Sequence, residues 1–515
     1  MRVLMILPAL TEAKGPFWRP IKYSLFPPLG LATLAALCDP GDDIRIIDEH
    51  VEKELDITEP PDPRPDLVVI QVYITNARRA YALSDYFRSN GSHVALGGLH
   101  VTSLPEEAGA HADTIFLGPG ERTFAEFLKD FRSSEPPATK KLYDSRDHPR
   151  SLDRLPPIRR DLIRRAGYLV PNSIVVSRGC PHHCSFCYKD AFFEGGKSFY
   201  TQRVDDAIAE IDRLPGRHLY FLDDHMLGDV RFARALFDGL KGMKRVFQGA
   251  ATVDSVLRGD LVERAFEAGL RSIFIGFESL SETNLIFANK RQNLERAGRR
   301  RDYEAACRRM DRLGVSINAS FVFGLDGDDP TVFDRTVDWA CRQGITTSTF
   351  HIATPYPGTA YFKEIQAQGR LSHRNWDLFD TRHVVFEPTG MTARQLEEGY
   401  WHAYRSFYTT GNIARASAFH ARLAARFKHF GYAWAWKNME PVWNAMIRSG
   451  CLGLMRPVIE AGLDLTKPRR TPSDSPGAIT LPADHGNHVP AVPLTVDGAA
   501  LETGGPPAQG HDCAA

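Results

Sequence analysis

The sequence predicts an α/β protein in successive parts: a doubly wound parallel sheet, a partial (β/α)6 barrel and a helical C-terminal region. Two observations support this prediction. Short apolar runs alternate with helical periodicity from the N-terminus to about residue 370, which is typical of parallel sheets covered by helices. A polar, proline-rich stretch interrupts the alternation once, which indicates two sheets rather than one.

The first sheet is predicted from apolar runs that are each short enough for one buried strand. These runs are VLMIL, IRIID, DLVVIQV, HVALGG and TIFLG. Helical patterns lie among them, and the first, PPLGLATLAAL, opens with prolines that suit the start of a helix. We assign residues 1–137 to this Rossmann-like domain and residues 138–165 to a linker.

Glycine-rich segments follow the fourth and fifth predicted strands, where a doubly wound sheet binds its ligands. They are Gly97-Gly98-Leu99-His100-Val101-Thr102 and Gly118-Pro119-Gly120-Glu121. Glycines at a strand exit let the backbone approach a bulky ligand closely. The alternative is that they only form tight turns between strand and helix.

The second alternation predicts the barrel, whose catalytic groups would gather at the C-terminal ends of its strands. Its predicted strands are SIVVS, HLYFLDD, RVFQGAATV, SIFIGFES, SINASFVFG and TSTFHIATP. We assign residues 166–370 to the barrel and residues 371–465 to a helical accessory domain. Residues 466–515 are rich in Pro and Gly without periodicity, and we predict that they are disordered.

Composition narrows the class of partner and the compartment. The formal net charge is zero, which removes the electrostatic case for a dedicated nucleic-acid binder and leaves a small-molecule substrate. The chain has 8 cysteines, mostly scattered, which is not a disulfide framework. The apolar run at the N-terminus is too short for a signal peptide, and no run of eighteen apolar residues occurs. We therefore expect a cytoplasmic protein with no membrane span.

Three cysteines, Cys180, Cys184 and Cys187, follow the first barrel strand in SRGCPHHCSFCYKD. A structural zinc site needs four ligands in tetrahedral geometry. Nearby histidines could complete such a set: His182, His183 and His225. A 4Fe-4S cluster held by three thiolates instead leaves one iron open to an exogenous ligand, to which it can pass an electron. The spacing favours the cluster and leaves zinc as the alternative.

A C-x-x-x-C-x-x-C motif at the end of the first strand of a partial barrel resembles the radical S-adenosylmethionine (radical SAM) superfamily. The resemblance extends from Ser173 to about Tyr361. It implies that Cys180, Cys184 and Cys187 hold the 4Fe-4S cluster, and that SAM chelates the open iron. An electron would cleave the sulfonium, and the resulting 5′-deoxyadenosyl radical would abstract hydrogen from the substrate. An external donor such as flavodoxin or ferredoxin would supply the electron.

The same resemblance implies SAM contacts near the strand ends. Phe186 is expected against the adenine, with core packing as the alternative. Leu222-Asp223-Asp224 replaces the Gly-Gly-Glu of many members, and the two aspartates are expected near the SAM amine or the substrate. Glu278 is expected to face the SAM ribose or amine, with an ion pair to a neighbouring Arg as the alternative. Two further contacts lie on or just after the fifth strand: Ser320 and Gly324.

The first domain, from about Met1 to Phe131, resembles the cobalamin-binding domain of cobalamin-dependent radical SAM enzymes through FPPLGLATLAAL, GGLHVT, PEE and LGPGE. The resemblance implies cobalamin contacts at Gly97, Gly98, His100, Thr102, Gly118, Gly120 and Glu121, with His100 expected to hold its loop rather than bind metal. Many cobalamin-binding domains carry Asp-x-His-x-x-Gly after the first strand. Here the similar string DEHVEK (Asp48 to Lys53) follows the second strand and lacks the glycine. The resemblance therefore implies cobalamin without a protein histidine on cobalt.

These resemblances together imply a radical SAM enzyme that cleaves SAM reductively and methylates an unactivated carbon, or phosphorus, of a small metabolite through methylcobalamin. One alternative is a cobalamin-containing radical SAM oxidoreductase or cyclase that transfers no methyl group. Another is a non-catalytic metal-cluster module that binds RNA or protein. Nothing in the sequence assigns a catalytic residue beyond the cofactor ligands.

Overall fold

The computed structural model describes residues 1–10, 25–133, 138–295, 297–438 and 446. The predicted disordered tail, residues 466–515, lies outside the described residues. The part of the predicted helical region that follows residue 438 also lies outside them, except for residue 446. Within the described part, no helix is long and apolar enough to cross a membrane.

The first sheet has six strands, all of whose neighbours pair in parallel. Its strands, in chain order, are β1 (Arg2–Leu7), β2 (Asp43–Asp48), β3 (Leu67–Gln71), β4 (His93–Gly97), β5 (Thr114–Leu117) and β6 (Leu142–Asp144). Their spatial order is β2-β1-β3-β4-β5-β6. The order reverses direction at β1, so the sheet is doubly wound as predicted.

The sixth strand was not predicted. β6 pairs with β5 through Ile115 to Leu142, Phe116 to Tyr143 and Leu117 to Asp144. It lies inside the segment predicted to be a linker, and its three residues, LYD, carry too short an apolar run to indicate a strand.

Helices cover both faces of this sheet. They are α1 (Leu29–Ala35), α2 (Ala77–Ser89), α3 (Leu99–Ser103), α4 (Pro105–Ala110) and α5 (Gly120–Arg132). Successive side chains of a strand point to opposite faces, so Met5 of β1 packs in the core with α1 and α5, whereas Ile6 packs in the core with α2. Burial on both faces explains why the strands appear as continuous apolar runs.

The chain enters the second sheet at β7 (Ser173–Ile174) and then forms an antiparallel hairpin that the sequence did not predict. The hairpin consists of β8 (Ser177–Gly179) and β9 (Phe199–Thr201), with the short helix α6 (Lys189–Phe192) between them. The three clustered cysteines lie in the loop between β8 and α6.

Five more strands complete the second sheet: β10 (His218–Phe221), β11 (Val246–Ala251), β12 (Leu270–Glu278), β13 (Ser316–Phe323) and β14 (Thr347–Ile352). The spatial order is β14-β13-β12-β11-β10-β7, with parallel pairing throughout. Each new strand is added beside the previous one, which is the winding of a partial (β/α)6 barrel. The predicted fold class is therefore confirmed.

Helices lie between the barrel strands and after the last one. They are α7 (Val204–Arg213), α8 (Val230–Leu240), α9 (Val253–Leu257), α10 (Leu261–Ala268), α11 (Glu282–Phe287), α12 (Tyr303–Leu313), α13 (Val332–Arg342) and α14 (Ala360–Ala367). The C-terminal region adds α15 (Ala393–Phe407), α16 (Thr410–Ser417) and α17 (Leu423–Asn438). Tyr400 and Phe407 of α15 are buried in the barrel core, so the accessory helices are part of the same packed unit.

Candidate cofactor site

A cavity of about 500 Å³ lies at the carboxyl ends of the first sheet's strands. Its wall on that side includes Gly97 and Gly98 after β4. Gly118, Gly120 and Glu121 after β5 continue the wall. The opposite wall comes from the start of the barrel and contains Val175, Arg178, Tyr188, Leu222 and Asp224. Strand ends of both sheets therefore line one cavity.

The two glycine-rich loops need glycine for their backbone shape. Gly98 has φ +116°, and a Cβ there would lie 2.8 Å from the Val72 carbonyl oxygen. Gly118 has φ +71°, and a Cβ there would collide with the Ser145 hydroxyl. Both values lie in the region that favours glycine. These glycines therefore form tight turns, as one explanation proposed. They also line the cavity, so the explanation by close approach of a ligand applies as well.

Thr102 and His100 lie behind this wall rather than in it. The Thr102 hydroxyl donates to the Gly98 carbonyl at 2.9 Å and accepts from the Gly118 amide at 2.9 Å, so it ties the two loops together. His100 is buried, with Nε2 2.9 Å from Glu107 Oε1, and burial lowers the pKa of its imidazole. The structure thus places His100 as a loop-holding residue and brings neither side chain to the cavity surface.

Glu121 joins the first sheet to the barrel. It is buried in the first turn of α5, and its Oε1 lies 3.0 Å from Nε of Arg178 on β8. Arg178 comes two residues before Cys180. This ion pair links the predicted cobalamin side of the cavity to the strand that leads into the cysteine loop.

The cavity fits the predicted cobalamin. A corrin ring is broad and carries many amide groups, so it needs a wide opening and exposed backbone, which the lining glycines of the two loops supply: Gly97, Gly98, Gly118 and Gly120. The described lining residues include aromatic side chains, among them Tyr73, Tyr188 and Phe192, and they include no histidine.

The cysteine loop is held by backbone hydrogen bonds. The Cys180 amide donates to the Ser198 carbonyl at 3.0 Å, and the Cys187 amide donates to the Cys184 carbonyl at 3.0 Å. Burial, with a smaller contribution from the neighbouring Cys184, raises the pKa of Cys180 to about 11 and that of Cys187 to about 12. The three thiols are therefore close enough to interact electrostatically.

The residues around the cysteine loop bear on the choice between a cluster and a single zinc ion. Across the described residues, no three or more His, Cys, Asp or Glu side chains converge where one metal ion could bind. His225 is buried, and its Nε2 lies 3.4 Å from the Thr252 hydroxyl. A 4Fe-4S cluster takes one thiolate on each ligated iron, so its ligands do not meet at one point. The absence of such a group among the described residues is therefore compatible with a 4Fe-4S cluster.

An ion pair with a neighbouring arginine was the alternative role for Glu278. Glu278 does form an ion pair, but its partner is Lys290. Glu278 Oε1 accepts from Lys290 Nζ at 2.8 Å, and Oε2 accepts from the Ser320 hydroxyl at 3.0 Å. Both carboxylate oxygens are thus engaged within the barrel. Glu278 also has φ +64°, where the pairing of β12 with β13 shifts register. The sequence reasoning missed Lys290.

Asp223 and Asp224 are consecutive in the sequence, but their side chains have different surroundings in the structure. Asp223 is buried and accepts hydrogen bonds from the backbone amides of Val176 and Ser177 and from the Ser177 hydroxyl. Burial raises its pKa to about 6. Asp224 instead lines the cavity and forms an ion pair with Lys189, which the sequence reasoning also missed. Only Asp224 is therefore brought to the cavity.

Two further predicted SAM residues have packing roles. Phe186 is half-buried and packs against the barrel core, which was its alternative. Gly324 has φ +87°, and a Cβ there would lie 2.5 Å from Leu396 of α15. The Gly324 amide donates to Asp328 Oδ2 at 2.9 Å. The shape of this strand exit is thus set by α15 and by Asp328.

Comparison with known proteins gives two family matches in separate parts of the chain. The model described as "Radical SAM superfamily" matches residues 174–340, and the model described as "B12 binding domain" matches residues 23–128. The first match contains the cysteine loop and the barrel strands from β10 to β13, and the second contains both glycine-rich loops.

Two curated relatives are similar over most of their length, and a solved structure shares the fold. Bacteriochlorophyllide d C-12(1)-methyltransferase of Chlorobaculum tepidum is 28% identical over 401 residues, which covers 75% of this chain and 84% of that protein. The C-8(2)-methyltransferase of the same organism is 27% identical, over 78% of this chain and 93% of that protein. The radical SAM methyltransferase TsrM of Kitasatospora setae, solved with cobalamin and a [4Fe-4S] cluster, has 16% identity and a TM-score of 0.55 over 87% of this chain and 99% of that chain.

Proposed function

Because the chain belongs to the cobalamin-dependent radical SAM enzymes, we propose that it transfers a methyl group from SAM to an unactivated carbon of a small metabolite. The main support is the cavity whose walls come from the strand ends of both domains, since two cofactors that act on one substrate must face each other. Family membership makes the chain an enzyme that uses a 4Fe-4S cluster, SAM and cobalamin, as predicted. The non-catalytic module is therefore set aside.

The cofactors supply the chemistry, and the chain supplies their placement. The chemistry would come from the cofactors when bound: the cluster would supply an electron for the cleavage of SAM, and cobalamin would supply a methyl carrier for a carbon that has no lone pair. In the proposal, Cys180, Cys184 and Cys187 hold the cluster, and the glycines of the two loops admit the corrin ring. Asp224 with Lys189 presents a charged pair on the barrel side of the cavity, where it can orient a polar group of SAM or of the substrate.

Two of the relatives support methyl transfer to carbon rather than phosphorus, because both are named as methyltransferases of numbered carbon positions on bacteriochlorophyllide d. The cavity wall is consistent with a largely apolar substrate beside the cofactor. It includes Leu7, Phe26, Val69 and Phe116. A substrate that shares this cavity would be desolvated on several sides.

An enzyme of this family needs a small-molecule substrate and a reductant. We propose flavodoxin or ferredoxin as the reductant, a cytoplasmic location, and no nucleic-acid partner because the chain carries no net charge. We also propose residues 1–137 as the cobalamin domain, 166–370 as the radical SAM barrel and 371–465 as the accessory domain.

The test is anaerobic purification and reconstitution, followed by iron and cobalt analysis and incubation with reductant and methyl-labelled SAM. We expect iron and cobalt together, release of 5′-deoxyadenosine, and transfer of label from SAM to the cobalamin fraction. Release of 5′-deoxyadenosine with no transfer of label would favour the oxidoreductase or cyclase alternative. Absence of both activities in protein that holds iron and cobalt would contradict the proposal.

A set of cysteine variants tests the cluster ligands. Cys180→Ala, Cys184→Ala and Cys187→Ala should each lose iron and the release of 5′-deoxyadenosine while cobalt is retained, because none of the three cysteines lines the cavity and the two glycine-rich loops belong to the other sheet. Cys307→Ala is the matched control, since Cys307 is also a buried barrel cysteine but lies on α12. Iron content in the three variants equal to that of the control would refute the ligand assignment.

A further inference from the structure

We propose that Gln292 is a positioning residue for the iron–sulfur cluster, donating an amide hydrogen bond to the Cys184 thiolate and making the cluster easier to reduce. This inference rests on the proposed function, because it requires Cys184 to be a cluster ligand. Gln292 Nε2 lies 3.2 Å from Cys184 Sγ. Gln292 is 5% exposed and Cys184 is 8% exposed, so water does not compete for this contact.

The Gln292 backbone is fixed by its surroundings. Gln292 lies in a single 3-10 turn, Arg291–Asn293, between α11 and α12. The neighbouring Asn293 side chain is fully buried and donates to the carbonyls of Gly276 at 3.0 Å and Phe277 at 2.8 Å, at the end of β12. Arg301 donates to the Gln292 carbonyl at 3.0 Å. A donor held in this way is oriented toward the sulfur before any cluster binds.

The other end of the amide argues against a purely structural role. Gln292 Oε1 is buried and has no hydrogen-bond partner among the described residues. Leucine or methionine would fill the same space and leave no acceptor unsatisfied. Buried acceptors without a hydrogen-bond partner are uncommon in native proteins, so packing alone does not explain a glutamine at this position. A metal-bound thiolate can only accept hydrogen bonds, so the N–H end of the amide is the one that stabilises it.

The direction of the effect follows from charge. Reduction adds one negative charge to a cluster that already has anionic ligands, and donors to the sulfur stabilise the reduced form more than the oxidised form. The buried setting strengthens the interaction. Lys290 also lies near Cys184, but its charge is balanced by Glu278 at 2.8 Å. Gln292 is therefore the neutral donor in direct contact with the sulfur.

The test is a redox titration of the reconstituted holoenzyme, followed by electron paramagnetic resonance. Gln292→Met keeps the length of the side chain and removes the donor. We expect it to lower the ratio of reduced to oxidised cluster at a fixed solution potential by about tenfold, which is 59 mV for a one-electron couple. Gln292→Leu also removes the donor and adds no charge, so its midpoint should fall by a similar amount.

Gln248→Met is the matched control, because Gln248 lies on β11 of the same barrel and its Nε2 contacts His218 at 2.9 Å rather than a cysteine. Its midpoint should equal that of the wild type. A wild-type midpoint in Gln292→Met at full iron content would overturn the inference. If that variant retains too little iron for titration, Gln292→Leu decides the question by the same criterion. A wild-type protein that binds no cluster would instead count against the proposed function, and this would be evident before any variant is compared.

Discussion

Replacing Lys290 with methionine should destabilise the barrel strongly, because it leaves a buried carboxylate without its counter-ion. The Lys290 and Glu278 side chains are 8% and 9% exposed, and Nζ lies 2.8 Å from Oε1. Burial opposes the charge on Lys290, yet Glu278 and Cys184 outweigh it and raise the lysine pKa. Removing one partner of a buried pair typically costs about 3–5 kcal/mol. The Ser320 hydroxyl still donates a hydrogen bond to Glu278 Oε2 at 3.0 Å, which offsets part of the loss. We therefore expect the free energy of unfolding to fall by about 3 kcal/mol.

The assay is urea denaturation of the cluster-free protein, with the free energy of unfolding compared between variants. The double variant Glu278→Gln with Lys290→Met removes both charges, and it should recover most of the loss because the buried charge is gone. A Lys290→Met variant within about 0.5 kcal/mol of the wild type, the range of ordinary surface substitutions, would refute this reasoning. A double variant less stable than the single variant would also refute it.

Three further predictions concern the conformation and charge of buried groups. Burial raises the pKa of Asp328 from 3.8 to about 6, so its contribution to stability is full below pH 3.8 and is lost as pH rises through 6. The stability of Asp328→Asn relative to wild type should therefore rise by about 2 kcal/mol between pH 4 and pH 7 in urea titrations. Gly98→Ala should cost about 1–3 kcal/mol and lower cobalt content, because of its φ of +116°, whereas Gly97→Ala should cost less. Arg178→Met leaves the buried Glu121 without its partner and should cost about 2 kcal/mol, and Glu121→Gln added to it should restore part of the loss in the same assay.

The sequence was sufficient to predict elements whose signal is local. The apolar runs of β1 to β5 and of the barrel predict buried parallel strands because both faces of each sheet are covered. The spacing of Cys180, Cys184 and Cys187 predicts the cluster because the chain itself brings the thiols together in one loop. The short strands β6, β8 and β9 have three residues each and were missed, since such short runs carry no measurable periodicity.

Contacts between distant segments were not predictable. Lys290 follows Glu278 by twelve residues, with α11 between them, and no local pattern pairs the two. The different surroundings of Asp223 and Asp224 could be predicted in part, because adjacent residues in an extended segment point to opposite sides. One side chain was therefore bound to turn inward, and Asp223 does so, bonding to Ser177, while Asp224 lines the cavity.

The ion pair between Glu121 and Arg178 explains how the two cofactor regions are held in register. Glu121 ends the second glycine-rich segment in the first turn of α5, and Arg178 on β8 precedes Cys180 by two residues. A shift of the second glycine-rich loop would therefore pull on the strand that precedes Cys180, the first proposed cluster ligand. Reactions between two bound groups depend steeply on their separation and orientation. A buried link in the protein fixes that geometry before either ligand binds, so the chain itself sets the spacing across the cavity.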